Sequence, residues 1–473
     1  MIISFYSYKG GVGRTQLTAN LASYLCYYKQ RKVLIIDWDM EAPGVDFFFN
    51  IDRTVINLGL LDLFNEFVKT VRNKENIEGK DLPKIFYENN SKYLINLIKS
   101  EKSEGRVDLI PAGNYNDNFV KKVTAFDWFD FYDTLNGKYF IEYLKEELNN
   151  SDYDYIFIDS RTGTSDYAGI CNIQFPELNV FVVAPTNQNF KGCIEIANSI
   201  INSPYVKNGL RKPIIMPILS RLDRTDKISG EWFGKFRETF KDIILTFIEF
   251  SKKNKIDKIS ERDKEELVSH YIDETLLEYK TEISYGERIL FYKDLRRIEY
   301  TTLEKQIVEV ANHIEFFNIN IQKSFVNEIK SFVEKGLIEE AIRQLHKYSK
   351  DTSLENDSIM LLSRYNNIQK EFTINLITMN EYKSELSKLS FAILNLLNDY
   401  YKDDKVITLS LKDNRRTQLT TQIEMLFVLL QEWETKQMFS DNPTEKKRSE
   451  IEIKRIKETI TIYENELYNI DNE

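Results

Sequence analysis

Apolar residues recur along the first 220 positions in short blocks that predict strands separated by helices. Ile2–Tyr6 is apolar and rich in residues that favour strands, and Val33–Ile36 is a continuous apolar run, as expected for a buried parallel strand. Between them, apolar residues at helical spacing predict a helix over Thr15–Tyr28. Similar apolar runs recur at Val107–Ile110, Tyr155–Ile158, Val180–Val183 and Ile214–Leu219. This alternation predicts an α/β fold with a doubly wound parallel sheet.

Two charged stretches interrupt the alternation, and it stops near residue 320. We interpret residues 60–105 and 226–280 as helical insertions, because they are polar and lack strand-like runs. Beyond residue 320 the pattern is helical, with turn signals near Lys350 and Asp403. We therefore expect three parts: an α/β domain over 1–320, a helical domain over 321–402 and a helical tail over 403–473.

Composition narrows the class of protein. The 473 residues are 42% hydrophobic and 29% charged, which excludes a collagen, a disulfide miniprotein and a fully disordered chain. Three scattered cysteines and three distant histidines support neither a disulfide framework nor a zinc site. A net charge of -10 does not favour nucleic-acid binding. The N-terminus lacks the pattern of a signal peptide and no apolar run is long enough to span a bilayer, so we expect a cytoplasmic protein without membrane contact.

The segment KGGVGRT, Lys9–Thr15, lies between the first predicted strand and helix. Its glycines let backbone N–H groups face phosphate oxygens, and the helix start adds a positive end. A threonine hydroxyl here is placed to ligate Mg²⁺ between the β and γ phosphates. The common G-x-x-x-x-G-K-[ST] pattern is broken twice, because Tyr8 replaces the first glycine and Arg14 the lysine. The predicted nucleotide-binding residues are Lys9, Gly10, Gly11, Val12, Gly13, Arg14, Thr15 and Gln16. A glycine-rich turn without a ligand is the alternative.

Two acidic segments follow at the carboxyl ends of predicted strands, where α/β sheets place their ligands. DWDMEAPG begins at Asp37 and includes Asp39, and DSRTGTSD begins at Asp159. An acid that ends an apolar strand can hold Mg²⁺, usually through water. A helix cap or a turn is the alternative for the first pair.

Together, KGGVGRT, DWDMEAPG and DSRTGTSD resemble the motifs of the ParA/MinD-like P-loop ATPases, over roughly residues 1–310. The resemblance implies ATP and Mg²⁺ as cofactors. It implies that Lys9 reaches the partner's phosphates across a nucleotide-sandwich dimer and that Asp39 orients or deprotonates the attacking water. Thr15, Asp37 and Asp159 are the expected metal-site residues. Arg14 departs from the family's usual lysine. The sequence therefore leaves open whether ATP is hydrolysed efficiently or only weakly.

Three further residues are candidates by the same resemblance. Arg161 would contact phosphate in cis or across a dimer, as an arginine finger does, with a structural ion pair as the equal alternative. Arg221 and Asp223 follow the strand Ile214–Leu219, near the place where relatives contact the nucleotide base. A plain surface loop is the alternative for these two.

The helices after residue 325 carry a second resemblance. The segments GLIEEAI, LLSRYNNIQKE and EYKSELSKLSFAILNLL resemble a helical effector-associated domain of bacterial conflict systems, over about residues 325–400. The resemblance implies an adaptor that pairs an NTPase with an effector. An unrelated helical bundle is the alternative. Thr378–Glu381 also fits a capping box. The tail mixes acidic and basic residues, so we expect it to contact protein and not membrane.

The leading hypothesis is an ATP-dependent dimerising switch in a bacterial antiphage defence or conflict system. A homodimer or a higher oligomer would form with ATP, and the helical module would recruit an effector or adaptor protein. One alternative is a ParA/MinD-like partition or positioning ATPase acting on DNA or membrane. Another is a scaffold that binds nucleotide without hydrolysing it. The sequence does not decide whether the nucleotide is ATP or GTP, or whether the assembly is a dimer or a filament.

Overall fold

The computed structural model describes residues 1–73, 82–86, 92–99, 104–163, 169–203, 213–252, 260–280, 286–292, 301–349, 355–374, 376–379 and 381–397, with scattered positions between 430 and 464. The chain divides into two compact units, one built mainly from residues 1–324 and one from residue 325 onward.

The first unit is built on a sheet of eight described strands. These are β1 (Ile2–Tyr6), β2 (Lys32–Asp37), β3 (Ile95–Lys99), β4 (Arg106–Ile110), β5 (Tyr155–Asp159), β6 (Leu178–Val183), β7 (Ile214–Leu222) and β8 (Leu277–Glu278). Their order is β3-β4-β2-β5-β1-β6-β7-β8, and every described pair is parallel except the antiparallel pair β3 and β4. The predicted α/β class and parallel sheet are confirmed.

Helices of the first unit connect these strands. They are α1 (Arg14–Lys29), α2 (Val45–Phe48), α3 (Leu60–Asn73), α4 (Phe119–Ala125), α5 (Gly137–Asn149), α6 (Asn187–Asn202), α7 (Ser229–Lys252) and α8 (Glu261–Thr275). Helix α9 (Thr302–Glu334) begins in this unit and ends in the next. No helix in the described ranges is both long and apolar enough to cross a bilayer.

The two central strands carry no solvent-facing side. Every residue of β1 and of β5 is buried, which explains their largely apolar sequence. On one face of the sheet, α3 and α5 cover an aromatic cluster around Trp38, Phe64 and Phe140. This packing fixes the strand ends from which the loops of the site leave.

The predicted helical insertion over 60–105 needs correction. Its first part is α3, whose Leu60, Phe64 and Phe67 are buried in the core and not exposed on an insertion. Its last part, Ile95–Lys99, is an edge strand of the sheet. The strand was missed because only Ile98 of its side chains is buried, which leaves a weak apolar pattern. In the other predicted insertion, over 226–280, α7 and α8 are helical as expected.

The second unit is helical in its described part. The end of α9, α10 (Ile338–Ser349), α11 (Glu355–Thr373) and residues 381–397 enclose a core that includes Ile342, Leu345, Leu389 and Ile393. The predicted capping box is confirmed, since the Thr378 backbone N–H donates to the Glu381 carboxylate at 2.8 Å. Most of the predicted tail over 403–473 lies outside the described residues.

Candidate functional site

The loop between β1 and α1 has the backbone of an anion-binding cradle. Gly11 and Gly13 adopt φ angles of 74° and 93°, a left-handed conformation that favours glycine. Side chains built at Gly10 or Gly11 would meet nothing within 4 Å, so the space over the loop is open. Gly13 caps α1 without a side-chain hydrogen bond. The first-turn N–H groups of α1 are therefore available to an anion.

Hydrogen bonds and one aromatic contact connect this loop to the neighbouring strand and helix. Ser7 donates its hydroxyl to the carbonyl of Lys9 at 3.0 Å, and Ser220 at the end of β7 donates to the carbonyl of Val12 at 2.9 Å. The ring of Tyr8 packs against the backbone of Gly192 in α6. Lys9 itself is exposed, with its Nζ 5.8 Å from the centre of the Tyr8 ring. The loop is thus anchored on both sides while the lysine projects to solvent.

Thr15 and Asp159 come together as the sequence predicts. The Thr15 hydroxyl donates to Oδ2 of Asp159 at 2.7 Å. Asp159 ends β5 and Asp37 ends the neighbouring β2, and the two residues are paired in register. Burial raises the pKa of Asp159, while the adjacent Arg14 and Thr15 act in the opposite direction. This pair of oxygen ligands suits Mg²⁺, which keeps several of its waters.

Asp37 is engaged by the loop that follows it. Its Oδ1 accepts the N–H of Asp39 at 3.2 Å, and its Oδ2 accepts the N–H groups of Gly44 and Val45 at 3.1 and 3.3 Å. The side chain is fully buried, and burial beside Asp159 and Asp39 raises its pKa. Asp37 therefore shapes the acidic loop in this structure, and its place in a metal shell stays a prediction.

Arg14 lies between the carboxylates of the two acidic motifs. Its Nε donates to Oδ1 of Asp159 at 2.7 Å, and its Nη2 donates to Oδ2 of Asp39 at 2.9 Å. Only 7% of the Arg14 side chain is exposed. The sequence predicts Arg14 as a phosphate ligand and gives no sign of this bridge, because nothing in the chain order places residue 14 beside residues 39 and 159.

Arg161 makes the structural ion pair that the sequence offered as an alternative. It pairs with Glu41 at 2.5 Å, joining the third motif to the second. Tyr6 donates its hydroxyl to the carbonyl of Gly163 at 3.2 Å, and Gly163 has a φ of 81°. The finger role of Arg161 stays a prediction. Glu41 was not among the predicted residues, and no signal in the sequence identifies it.

The other predicted residues make no hydrogen bond or ion pair with Asp37, Asp39 or Asp159 in the part of the chain that the structure describes. Arg221 and Asp223 are exposed, and the Asp223 carboxylate accepts from the backbone and hydroxyl of Thr225 at 2.9 and 2.6 Å. Their strand reaches the phosphate loop through Ser220, which sequence reasoning missed. The amide of Gln16 lies beside Gly13. Within the ranges the structure describes, no cluster of three metal-ligating His, Cys, Asp or Glu side chains occurs.

Two protein families match parts of the chain. Residues 1–163 match the family described as AAA domain, and residues 324–400 match Effector-associated domain 11. An uncharacterized protein of Borreliella burgdorferi, BBD21, is 37% identical over 60 residues, which are 13% of this chain and 23% of that protein. The chain thus matches less than a quarter of that relative's length.

Two solved structures of nucleotide complexes are similar to about two thirds of the chain. The septum site-determining protein MinD of Pyrococcus horikoshii, complexed with Mg-ADP, is 17% identical with a TM-score of 0.39, covering 66% of this chain and 95% of that one. The ATP complex of McdA from Cyanothece is 16% identical with a TM-score of 0.39, covering 66% of this chain and 96% of that one.

Proposed function

We propose that this chain, a ParA/MinD-like P-loop ATPase joined to an effector-associated domain, is a switch that dimerises with ATP and recruits an effector. One observation carries the proposal. The open phosphate loop, the Thr15–Asp159 pair and the Asp39 carboxylate converge at the carboxyl ends of neighbouring strands, which is where α/β sheets bind nucleotides.

The loop residues Gly10 to Thr15 would hold the phosphates through backbone N–H groups and the start of α1. Thr15 and Asp159 would hold Mg²⁺, which supplies neutralisation of charge on the β and γ phosphates. Gln16, Arg221 and Asp223 stay candidates for contacts with the rest of the nucleotide.

Asp39 is the proposed residue that orients the attacking water. Its Oδ1 accepts the N–H of Ala42 at 3.3 Å, and its Oδ2 accepts from Arg14. The side chain is 12% exposed, so it is not fully withdrawn from solvent. A carboxylate fixed by two donors holds its water in one direction, and positioning of this kind lowers the barrier to phosphoryl transfer.

Lys9 is the proposed link between two chains. It is the exposed cation of the phosphate loop, and it lies on the rim of the cradle and not inside it. A lysine in this place can reach phosphates bound to a facing copy. Arg161, held by Glu41 beside the acidic loop, is a second candidate for such a contact.

The match to Effector-associated domain 11 supports recruitment of an effector or adaptor in a bacterial conflict or antiphage system. We divide the chain into an ATPase domain over 1–320, an adaptor domain over 321–402 and a tail over 403–473, acting in the cytoplasm. ATP would change the assembly of the ATPase domain and so the number of adaptor domains held together.

Phosphate release tests the hydrolytic part of this proposal. The wild type should release phosphate from ATP in the presence of Mg²⁺, and Asp39→Ala should release it at least tenfold more slowly while still binding ATP. Equal release by both proteins would contradict the role of Asp39. ATP binding without any release would instead favour the non-hydrolysing scaffold. ATP-dependent retention on DNA at low salt would favour the positioning alternative.

A further inference from the structure

Arg14 uses two of its three side-chain nitrogens on the carboxylates of the site. Nε contacts Asp159 and Nη2 contacts Asp39, at 2.7 and 2.9 Å. Its third nitrogen, Nη1, is buried and has no hydrogen-bond partner among the described residues. A buried donor without a partner is costly, and this one belongs to the first residue of α1, directly before Thr15.

We infer that Arg14 is a positioning residue that fixes Asp39 relative to Asp159. This inference rests on the proposed ATPase function. It makes the arginine a requirement of this site and not a tolerated substitute for lysine. One guanidinium would then tie the water-orienting acid to the metal-site acid.

The chemistry of guanidinium supports two simultaneous contacts in fixed directions. Its five N–H donors lie in one rigid plane, so a carboxylate held at one nitrogen is oriented relative to a carboxylate held at another. Charge-assisted hydrogen bonds of these lengths are among the stronger ones in proteins. Because 93% of the side chain is withdrawn from solvent, water does not compete for the donors.

The positive charge of Arg14 also supports its role in holding Asp39 near Asp159. Asp37, Asp39 and Asp159 bring three acidic groups to adjacent strand ends, and Arg14 lies in contact with two of them. Like charges gathered at neighbouring strand ends repel one another. The guanidinium lets Asp39 stay close to Asp159 without mutual repulsion moving it away from the cradle.

A lysine at this position would keep the charge and lose the geometry. Its ammonium is a single point from which donors radiate, and it cannot hold two carboxylates on separate fixed edges. Arg14→Lys should therefore leave attraction for ATP nearly intact and release Asp39 from its fixed orientation.

Steady-state kinetics of Arg14→Lys test the inference, with Arg31→Lys as the matched control. Arg31 also donates through Nε and Nη2 to a carboxylate, Glu315, at the far end of α1. We expect Arg14→Lys to lower kcat at least tenfold and to change KM less than about threefold. Arg31→Lys should change neither. An unchanged or higher kcat in Arg14→Lys would overturn the inference, and so would a higher KM at unchanged kcat, which would make Arg14 a phosphate ligand only.

Unfolding without nucleotide separates this inference from the proposed function. If the wild type neither binds nor hydrolyses ATP, the proposed function fails, and the bridge is then tested by urea unfolding of Arg14→Lys, Asp39→Asn and the double variant. Each variant should lower the urea concentration at the unfolding midpoint. If the double variant lowers it by less than the sum of the two single variants, the bridge is supported, and additive losses overturn it. If Arg14→Lys does not fold alone, folding of the double variant supports the bridge. Failure of both to fold overturns it.

Discussion

The ring of Tyr8 lies against Gly192, so closely that a Cβ on Gly192 would overlap the ring. Tyr8 holds the place of the first glycine in the common phosphate-loop pattern. Because Gly192 of α6 has no side chain, the helix leaves room for the Tyr8 ring. This contact connects the start of the phosphate loop to α6, the helix that follows β6.

Gly192→Ala should displace the Tyr8 ring and disturb the loop. We expect a loss of about 1–3 kcal/mol in the free energy of unfolding, because overpacking a buried contact costs this much. ATP affinity should fall with it. Gly234→Ala is the matched control, since Gly234 also lies inside a helix and a Cβ there would meet nothing within 4 Å. Chemical unfolding and titration with a fluorescent ATP analogue measure both effects. Equal behaviour of the two variants would contradict the packing argument.

Lys9→Ala should separate nucleotide binding from assembly. The side chain is exposed on the rim of the loop, so its loss should weaken ATP binding to one chain only a few-fold. ATP-dependent assembly should be lost, because the proposed contact of Lys9 is with the facing copy. Light scattering with a slowly hydrolysed ATP analogue measures assembly. Lys121→Ala, at an exposed position of α4, is the control that should assemble normally. Normal assembly of Lys9→Ala would refute the assigned role.

Thr15→Val should reduce turnover mainly through Mg²⁺. The substitution keeps the shape and removes the hydroxyl that donates to Asp159 at 2.7 Å. We expect at least a tenfold fall in kcat and a higher Mg²⁺ concentration for half-maximal activity, since the hydroxyl is the proposed metal ligand. Thr70→Val is a control that removes a helix hydroxyl bonded to the Glu66 carbonyl, remote from the site. An unchanged Mg²⁺ dependence would exclude Thr15 from the metal site.

Asp37 should make stability fall with rising pH. Its pKa is raised in the folded state by burial and by the neighbouring Asp159 and Asp39. Between its ordinary pKa and the raised one, the folded state binds more protons than the unfolded state, so raising the pH lowers the free energy of unfolding. The wild type should lose stability relative to Asp37→Asn as pH increases above about 4. Urea unfolding of both proteins, from about pH 4 to 8, measures this difference. A difference that is constant, or that changes in the opposite direction, would contradict the raised pKa.

The parallel sheet was predictable because its strands are buried on both faces. β1 and β5 have no exposed residue, so their sequences are largely apolar, with Ser4 in β1 and the terminal Asp159 of β5 as the polar residues. β3 and β8 were not predicted. β3 buries only one of its five residues, and β8 has two residues, which is too short for any periodicity. Edge strands of this kind depend on the pairing that the finished sheet offers them.

The places of the candidate site residues at strand ends and in the loop were predictable, but most of their mutual contacts were not. The motifs fix which residues stand at strand ends and at the loop, and Thr15 with Asp159 follows from that. Arg14 bridging two acids depends on the register of β2 against β5, which no local pattern contains. Tyr8 against Gly192 likewise depends on how α6 crosses the loop.

Native mass under three nucleotide conditions tests the central claim most directly. The full chain would be weighed by native mass spectrometry without nucleotide, with Mg-ADP and with Mg²⁺ and a slowly hydrolysed ATP analogue. The account predicts a dimer or larger species only with the ATP analogue, and its loss in Lys9→Ala. The same mass in all three conditions would contradict an ATP-dependent switch and would leave a constitutive assembly in its place.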